Sequence, residues 1–91
     1  MRIKWSNLTR LQYIEQISFI ADRNLSVAWK IKEKIKTATD KLIIHLEIGK
    51  KGRCEGTREL IVSGTPVIIV YTIDQQETFI ASILHSAQDY P

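Results

Sequence analysis

The sequence predicts an α+β fold, in which an antiparallel helix hairpin packs on a three- to four-stranded antiparallel sheet. Two observations carry this prediction. Apolar residues recur at helical spacing through the first half of the chain, and three short apolar segments separated by turn residues fill the second half. With 91 residues, of which 44% are hydrophobic and 25% charged, residues 1–91 suit one soluble domain.

The helical half follows a short candidate strand at residues 2–5. Ser6 or Asn7 can cap the first helix, whose apolar positions lie mostly three apart: Leu8, Leu11, Ile14, Ile17 and Ile20 or Ala21. Ser26 can cap a second helix, whose apolar seam contains Ala28, Ile31, Ile35, Ala38, Leu42 and His45 or Leu46. Residues 22–24 make so short a turn that the two helices must pack antiparallel.

The strand half begins after Gly49. Residues 50–56 (KKGRCEG) are polar and contain two glycines, which predicts a loop. The three apolar segments that follow are predicted strands: residues 57–63, 66–73 and 78–85. The turns between them are short enough for antiparallel hairpins, so the segments form a meander, and the N-terminal strand is available as a fourth.

The sheet has more apolar surface than one helix hairpin can cover. Residues 67–73 are apolar on both strand faces, and residues 79–84 nearly so. The face away from the helices therefore exposes a contiguous apolar patch, which is typical of a partner site. The alternative is that the sheet curls and the C-terminal tail closes over it.

Composition excludes several classes of protein. Thirteen basic and ten acidic residues leave a net charge of +3, which permits contact with nucleic acid without requiring it. Cys54 is the only cysteine, so no internal disulfide forms. No apolar run approaches the roughly 18 residues of a membrane span, and the polar N-terminus is unlike a signal peptide. The sequence thus predicts a cytoplasmic protein without membrane contact.

Few residues could carry chemistry. His85 ends the last strand, with Asp89 and Tyr90 nearby in sequence, and is either a general base or a structural hydrogen-bonding group. A basic cluster is either a phosphate-binding edge or a solvated loop: Lys50, Lys51, Arg53 and Arg58. The two histidines are far apart and there is no phosphate-binding glycine loop, so neither a metal nor a cofactor is predicted.

The order of several short motifs resembles the RelE/ParE superfamily of toxins from bacterial type II toxin–antitoxin modules. The matching stretches are IKW, YIEQISFIADRN, AWKIKEKI, GKKGRCEGTREL, VIIVYTI and ILHSAQDYP, which together run from Ile3 to Pro91. The last three look most like the ParE branch. The resemblance implies two N-terminal helices on a three- or four-stranded antiparallel sheet.

The resemblance also implies a cognate antitoxin that folds over the toxin and covers apolar surface. We expect antitoxin side chains to occupy a groove along the helix hairpin and to reach the open sheet face. The residues of this seam are either core or shared with that groove: Leu11, Ile14, Ala28, Ile31 and Ile35. In such modules DNA binding belongs to the antitoxin, so DNA contact is expected only through it.

The superfamily divides by target. RelE-like members are ribosome-dependent mRNA endonucleases, and on this alternative the catalytic residues would be Arg58, His85 and Tyr90. The central strand, however, carries no cation to stabilise a phosphorane. ParE-like members inhibit DNA gyrase without catalytic residues of their own. The sequence favours the gyrase inhibitor, and Lys50, Lys51, Arg53 and Arg58 are its predicted target-facing edge. A non-toxic relic that acts only as an antitoxin-bound co-repressor is the third alternative.

Overall fold

The computed structural model describes residues 3–75 and 77–85. Its two helices are α1 (Asn7–Arg23) and α2 (Leu25–Ile44). Its strands are β1 (Ile3–Trp5), β2 (Lys50–Lys51), β3 (Arg58–Ile61), β4 (Val67–Asp74) and β5 (Glu77–His85). The predicted α+β class is confirmed. Asp89 and Tyr90 lie outside the described residues.

The five strands form one sheet in the order β1-β5-β4-β3-β2. The predicted meander β3-β4-β5 is antiparallel throughout. Two features differ from the prediction. β1 pairs with β5 in parallel, and the helices and strands between them supply the long crossover that a parallel pair requires. Lys50–Lys51 pairs with the start of β3, because Gly52 N–H donates to the Thr57 carbonyl and closes the hairpin between them.

The helix hairpin turns at Asn24. Ser6 caps α1 as predicted, since its Oγ accepts a hydrogen bond from the backbone N–H of Thr9 at 3.0 Å. The cap of α2 is Asn24 rather than the predicted Ser26, and its Oδ1 accepts from the Val27 N–H at 3.1 Å. The Asn24 N–H also donates to the Ile20 carbonyl. One residue therefore ends the first helix and begins the second.

The seam of α2 is the main contact between helices and sheet, and the predicted seam is confirmed from Ala28 to Leu42. Its predicted last position is wrong, because the helix ends at Ile44 and His45 is exposed. Its buried residues are Ala28, Ile31, Ile35, Ala38 and Leu42. Four of them belong to one core cluster with Val67, Ile69 and Tyr71 of β4 and with Ile80 and Ile83 of β5. Burial of a leucine side chain such as Leu42 stabilises a fold by about 1.5–3 kcal/mol.

The predicted apolar seam of α1 is wrong in its first two turns. Leu8 and Leu11 are 60% and 57% exposed. Farther along the helix the predicted Ile17 and Ile20 do pack against the core. Beside them, the side of α1 that meets the sheet carries Thr9, Gln12 and Gln16. The Thr9 hydroxyl donates to the Ile80 carbonyl at 2.8 Å, and the Gln16 side-chain amide donates to the Ile83 carbonyl at 2.7 Å. The side-chain Oε1 of Gln12 accepts from the Ile83 backbone N–H at 3.0 Å.

This polar contact has a topological cause. β1 pairs with β5 only as far as Ile80, so within residues 3–75 and 77–85 no strand neighbours the outer edge of β5 beyond that point. Backbone groups on such an edge need hydrogen-bond partners if they are to be buried. The side chains of Thr9, Gln12 and Gln16 supply them, and we refer to this contact as the edge contact.

The sheet face opposite the helices is less exposed than predicted. Ile68 and Val70 alternate with the core-facing residues of β4, so they point to this face. They are only 9% and 7% exposed, so the prediction of an exposed apolar patch at this central strand is wrong. Many of the exposed apolar side chains lie on the helices instead. Neither described helix has the length and apolar content needed to cross a bilayer.

Candidate functional site

A groove of about 690 Å³ runs between α1 and α2 near the end of β1, and we call it the helix groove. Its apolar lining comes from three elements: Trp5, Tyr13, Ile14, Trp29 and Ile35. Polar and charged residues complete it: Arg10, Lys32, Glu33, Lys36 and Thr39. The groove has the apolar floor and polar rim that are typical of a site for a helical or extended segment.

Aromatic rings shape this groove. Trp5 and Tyr13 pack edge to face, with ring centroids 5.6 Å apart and planes at 79°. Burial raises the pKa of the Tyr13 hydroxyl above its ordinary value, so the phenol stays protonated. Trp29 is 56% exposed, and the Lys32 ammonium lies 4.5 Å from its ring centroid. Rigid aromatic surface of this kind is enriched among residues that dominate binding energy.

The rim of the helix groove is predominantly basic. Arg10, Lys32 and Lys36 face it with Glu33 as the one carboxylate among its described lining residues. Lys36 also contacts Asp40 at 3.3 Å, but both side chains are exposed, so this pair contributes little. The arrangement is complementary to an apolar segment that is flanked by acidic side chains.

The residues predicted as core or groove differ in their position in the structure. Ala28 and Ile31 are buried, whereas Ile14 lines the helix groove. Ile35 is both buried and part of the groove floor. Leu11 lies on the exposed side of α1.

The residues of the predicted basic edge also differ from one another in their exposure and contacts. Lys50 and Lys51 are exposed on β2, where their side chains alternate between the two sheet faces. Arg53 lies in the following loop, with its Nε 3.9 Å from the carboxylate of Glu59, which is 4% exposed. The Glu59 carboxylate also accepts from the Arg53 backbone N–H at 3.1 Å. Lys50 and Lys51 are thus the two residues of this edge that are exposed without such a contact to any described part of the chain.

Arg58 points inward, toward the loop that precedes β2. Its guanidinium donates to the Gly49 carbonyl at 2.7 Å and to the Glu47 carbonyl at 3.3 Å. The Tyr71 hydroxyl accepts from the Gly49 N–H at 2.8 Å. Burial is the main cause of a raised pKa for Tyr71, so its hydroxyl stays neutral. A Cβ on residue 49 would lie 2.7 Å from that oxygen, which explains the glycine.

Replacing Arg58 by methionine should lower the free energy of unfolding by about 1.5–3 kcal/mol, because the charge-assisted hydrogen bonds to the loop are lost. Lys51→Met should change it by less than about 0.5 kcal/mol, since Lys51 is exposed. Urea denaturation followed by circular dichroism measures both values. Equal stabilities of the two variants would show that Arg58 does not hold the loop.

The structure does not bring the predicted nuclease residues Arg58 and His85 together. Arg58 is paired with Tyr71, whereas His85 is paired with Val67, four residues away along β4. Strand geometry places the two Cα atoms about 16 Å apart. His85 instead lines a separate hollow with Phe19, Val27 and Pro66. Within the described residues no cluster of histidine, cysteine or carboxylate side chains could hold a metal ion.

Sequence reasoning missed the basic rim of the helix groove. Lys32 and Lys36 are four residues apart and follow Trp29 by one and two helical turns, so they share its side of α2. That spacing alone predicts a basic rim beside Trp29 on this side of α2. The contributions of Trp5 and Arg10 depend on how β1 and α1 meet α2, which the spacing within one element does not show.

Comparisons with known proteins agree with this architecture. A family model described as "ParE toxin of type II toxin-antitoxin system, parDE" matches residues 3–90. The curated "Putative toxin Y4kP" of Sinorhizobium fredii (strain NBRC 101917 / NGR234) is 32% identical over 91 residues, which is 99% of this chain and 93% of that protein. A chain of the chromosomal ParDE toxin–antitoxin system from P. aeruginosa superposes with a TM-score of 0.81. The superposition covers 93% of this chain and 95% of that one at 17% identity, and it supports the fold alone.

Proposed function

The chain belongs to the ParE toxin family of type II toxin–antitoxin systems, and we propose that it blocks DNA replication by inhibiting DNA gyrase until a cognate antitoxin neutralises it. Family membership over residues 3–90 is the observation that carries this proposal. The proposed place of action is the cytoplasm, where both gyrase and a newly made antitoxin are within reach. Sequence-specific recognition of the module's promoter is left to the antitoxin.

The helix groove is the proposed antitoxin site. It combines an apolar floor, two partly exposed tryptophans and a basic rim within one concave surface. An antitoxin segment with an aromatic or aliphatic anchor and flanking carboxylates would fill and neutralise it. A segment that folds only on binding also suits a neutraliser that must be degraded easily.

The distribution of functional groups supports inhibition over RNA cleavage. Cleavage would need cations and an acid–base pair at one phosphate, within hydrogen-bond reach of the reacting atoms. Arg58 is engaged by two loop carbonyls, and His85 lies near the far end of the sheet. The proposed inhibitor instead traps gyrase on the DNA that the enzyme has cleaved, and an inhibitor of this kind needs no such set. Lys50 and Lys51 remain the proposed part of the basic edge that faces gyrase.

The two targets are separated by adding the purified protein to a gyrase supercoiling reaction and, in parallel, to translating ribosomes with primer extension on the mRNA. Inhibited supercoiling with intact mRNA supports the proposal. Ribosome-dependent cuts with unaffected supercoiling would overturn it and establish the nuclease alternative.

Replacing His85 by alanine should leave growth inhibition within about threefold of wild type, because His85 has no catalytic role in the proposed mechanism. The measurement is the inducer concentration that halves the growth rate of cells expressing each variant at equal protein level. A loss of about 100-fold or more would instead be the size expected for a general acid–base residue. Such a loss would support the alternative hypothesis that His85 is a catalytic residue of an mRNA endonuclease.

A further inference from the structure

Lysines on α2 form two groups on different flanks of the helix. Lys32 and Lys36 face the helix groove. Lys30, Lys34 and Lys41 are separated by four and seven residues, so they share the other flank. The Lys34 ammonium lies 3.4 Å from the Gly64 carbonyl in the turn between β3 and β4, which shows that this flank faces the β3 side of the sheet.

This second flank continues onto the edge of the sheet. Lys34 and Lys41 line a hollow of about 220 Å³ whose other walls include Ile48, Leu60 and Ile61. Ile48 leads directly into β2, where Lys51 is paired with Arg58. Arg58 is in turn paired with the core residue Tyr71, so Lys51 points to the helix side of the sheet. Four lysines thus follow one side of the molecule, and we call them the lysine ridge: Lys30, Lys34, Lys41 and Lys51.

Among the described residues, Glu55 lines the same hollow as Lys51, but no acid lies within ion-pair distance of the ridge. None of its four lysines has an ion-pair partner there, although ion pairs are formed elsewhere by Lys4, Lys36 and Arg58. The two acidic residues of α2 are directed away from it, because Glu33 lines the helix groove and Asp40 pairs with Lys36. A row of unpaired like charges on rigid elements produces a locally positive field that the net charge of +3 conceals.

We propose that the lysine ridge binds the phosphate backbone of duplex DNA directly and without sequence preference. Lys30 and Lys41 are separated by about 16 Å along the helix axis. That distance spans about five nucleotide steps of a DNA strand. Lysine is a compact point charge without the bidentate geometry by which arginine reads bases, and phosphate contacts position a protein without specifying sequence.

Duplex DNA fits the ridge better than a single-stranded nucleic acid. Binding of single strands relies on aromatic side chains on which bases stack. The exposed aromatic residues lie on other surfaces. Trp29 lines the helix groove, and Phe19 lies in a different hollow, beside Gln16. The side chains that accompany Lys34 and Lys41 are aliphatic or small, such as Ile48 and Ser63. The three ridge lysines of α2 therefore present charge along the helix axis, and the described lining of the hollow beside them contains no aromatic ring on which an unpaired base could stack.

This inference goes beyond the proposed function, since it requires DNA but not gyrase. It also departs from the expectation that DNA is reached only through the antitoxin. That expectation treated the net charge as weak evidence, whereas the folded chain concentrates unpaired lysines on one side. In a complex with gyrase, the ridge would hold the toxin against DNA that the enzyme has bound.

The test is the salt dependence of binding to a fluorescein-labelled 20-base-pair duplex, measured by fluorescence anisotropy between 25 and 200 mM NaCl. The variant K30Q/K34Q/K41Q should reduce the slope of log affinity against log salt by about 2.7, at about 0.9 for each phosphate contact. The control R10Q/K32Q/K36Q removes the same net charge from the helix groove and should leave the slope within about 0.5 of wild type. Thermal unfolding confirms that both variants are folded.

Equal slopes for the two triple variants would overturn the inference, because the attraction would then depend on net charge alone. Tighter binding of a 20-nucleotide single-stranded RNA than of the duplex would overturn it as well. The outcome is separable from that of the proposed function. Ridge-dependent DNA binding without gyrase inhibition supports the inference and rejects the function. If the protein inhibits gyrase but its DNA binding does not depend on the ridge lysines, the proposed function is supported and the inference is rejected.

Discussion

Replacing Trp29 by alanine is expected to weaken binding of the cognate antitoxin by about 30-fold or more, which corresponds to the roughly 2 kcal/mol of a binding hot spot. The indole lines the helix groove beside Lys32 and is already 56% exposed in the free chain. Its removal should therefore cost binding energy without unfolding the protein. Isothermal titration calorimetry with the purified antitoxin measures the effect.

Phe19→Ala is the matched control for this prediction. Phe19 is an aromatic residue of similar exposure, 59%, but it lies outside the helix groove and packs against the Arg23 guanidinium. Its replacement should change antitoxin affinity by less than about threefold. An unchanged affinity for Trp29→Ala would contradict the assignment of the helix groove to the antitoxin.

Removing the two glutamines of the edge contact should lower the free energy of unfolding by about 2–4 kcal/mol, because Q12A/Q16A leaves the N–H and carbonyl of Ile83 without their partners. Folded domains are stable by about 0.05–0.15 kcal/mol per residue, so this chain has roughly 5–14 kcal/mol in total. The double variant should therefore have a much lower urea midpoint.

The control for the edge contact is L8A/L11A, which removes two leucines of the predicted apolar seam of α1. Both leucines are exposed, so this variant should lose less than about 1 kcal/mol. The comparison separates the apolar seam suggested by the sequence from the polar contact in the structure. A larger loss for the leucine pair than for the glutamine pair would show that α1 is rotated relative to the described structure.

The two helices show what sequence periodicity can establish. The seam of α2 was predictable because apolar residues recur three and four positions apart along one face from Ala28 to Leu42. The same spacing in α1 predicted Ile17 and Ile20 correctly, since both pack against the core, but it failed at Leu8 and Leu11. In its first turns α1 contacts a strand edge, which requires hydrogen-bonding side chains such as Gln12 and Gln16. The position of the uncovered part of the β5 edge depends on where β1 pairs with β5, so the sequence pattern within α1 cannot predict it.

The candidate site was predictable to a similar extent. Lys50 and Lys51 are exposed, as a basic edge requires, but the inward direction of Arg58 depends on the loop that ends at Gly49. The lining of the helix groove comes from β1, α1 and α2, with more than 30 residues between Trp5 and Thr39. The spacing within each element predicted helices and strands, whereas the sites arise where those elements meet.

The helix groove and the lysine ridge lie on different flanks of α2, so separate variants can test each of them. Lys32 and Lys36 belong to the proposed antitoxin site, and Lys34 and Lys41 to the proposed DNA contact. Substitution of Lys32 and Lys36 should change the affinity for the antitoxin. Substitution of Lys34 and Lys41 should change the salt dependence of DNA binding. This separation allows the toxin's neutralisation and its DNA contact to be measured in one set of proteins.

The most direct measurement of the central claim is the amount of gyrase-cleaved DNA in a reaction that contains gyrase, ATP, supercoiled plasmid and this toxin. Linear DNA released by detergent and protease should increase with toxin concentration and should disappear when an equimolar amount of antitoxin is added. The same amount of linear DNA should form with Trp29→Ala, and the same antitoxin concentration should fail to suppress it. Plasmid that stays uncleaved at a large excess of folded toxin would contradict the proposal that the chain acts by trapping gyrase on DNA.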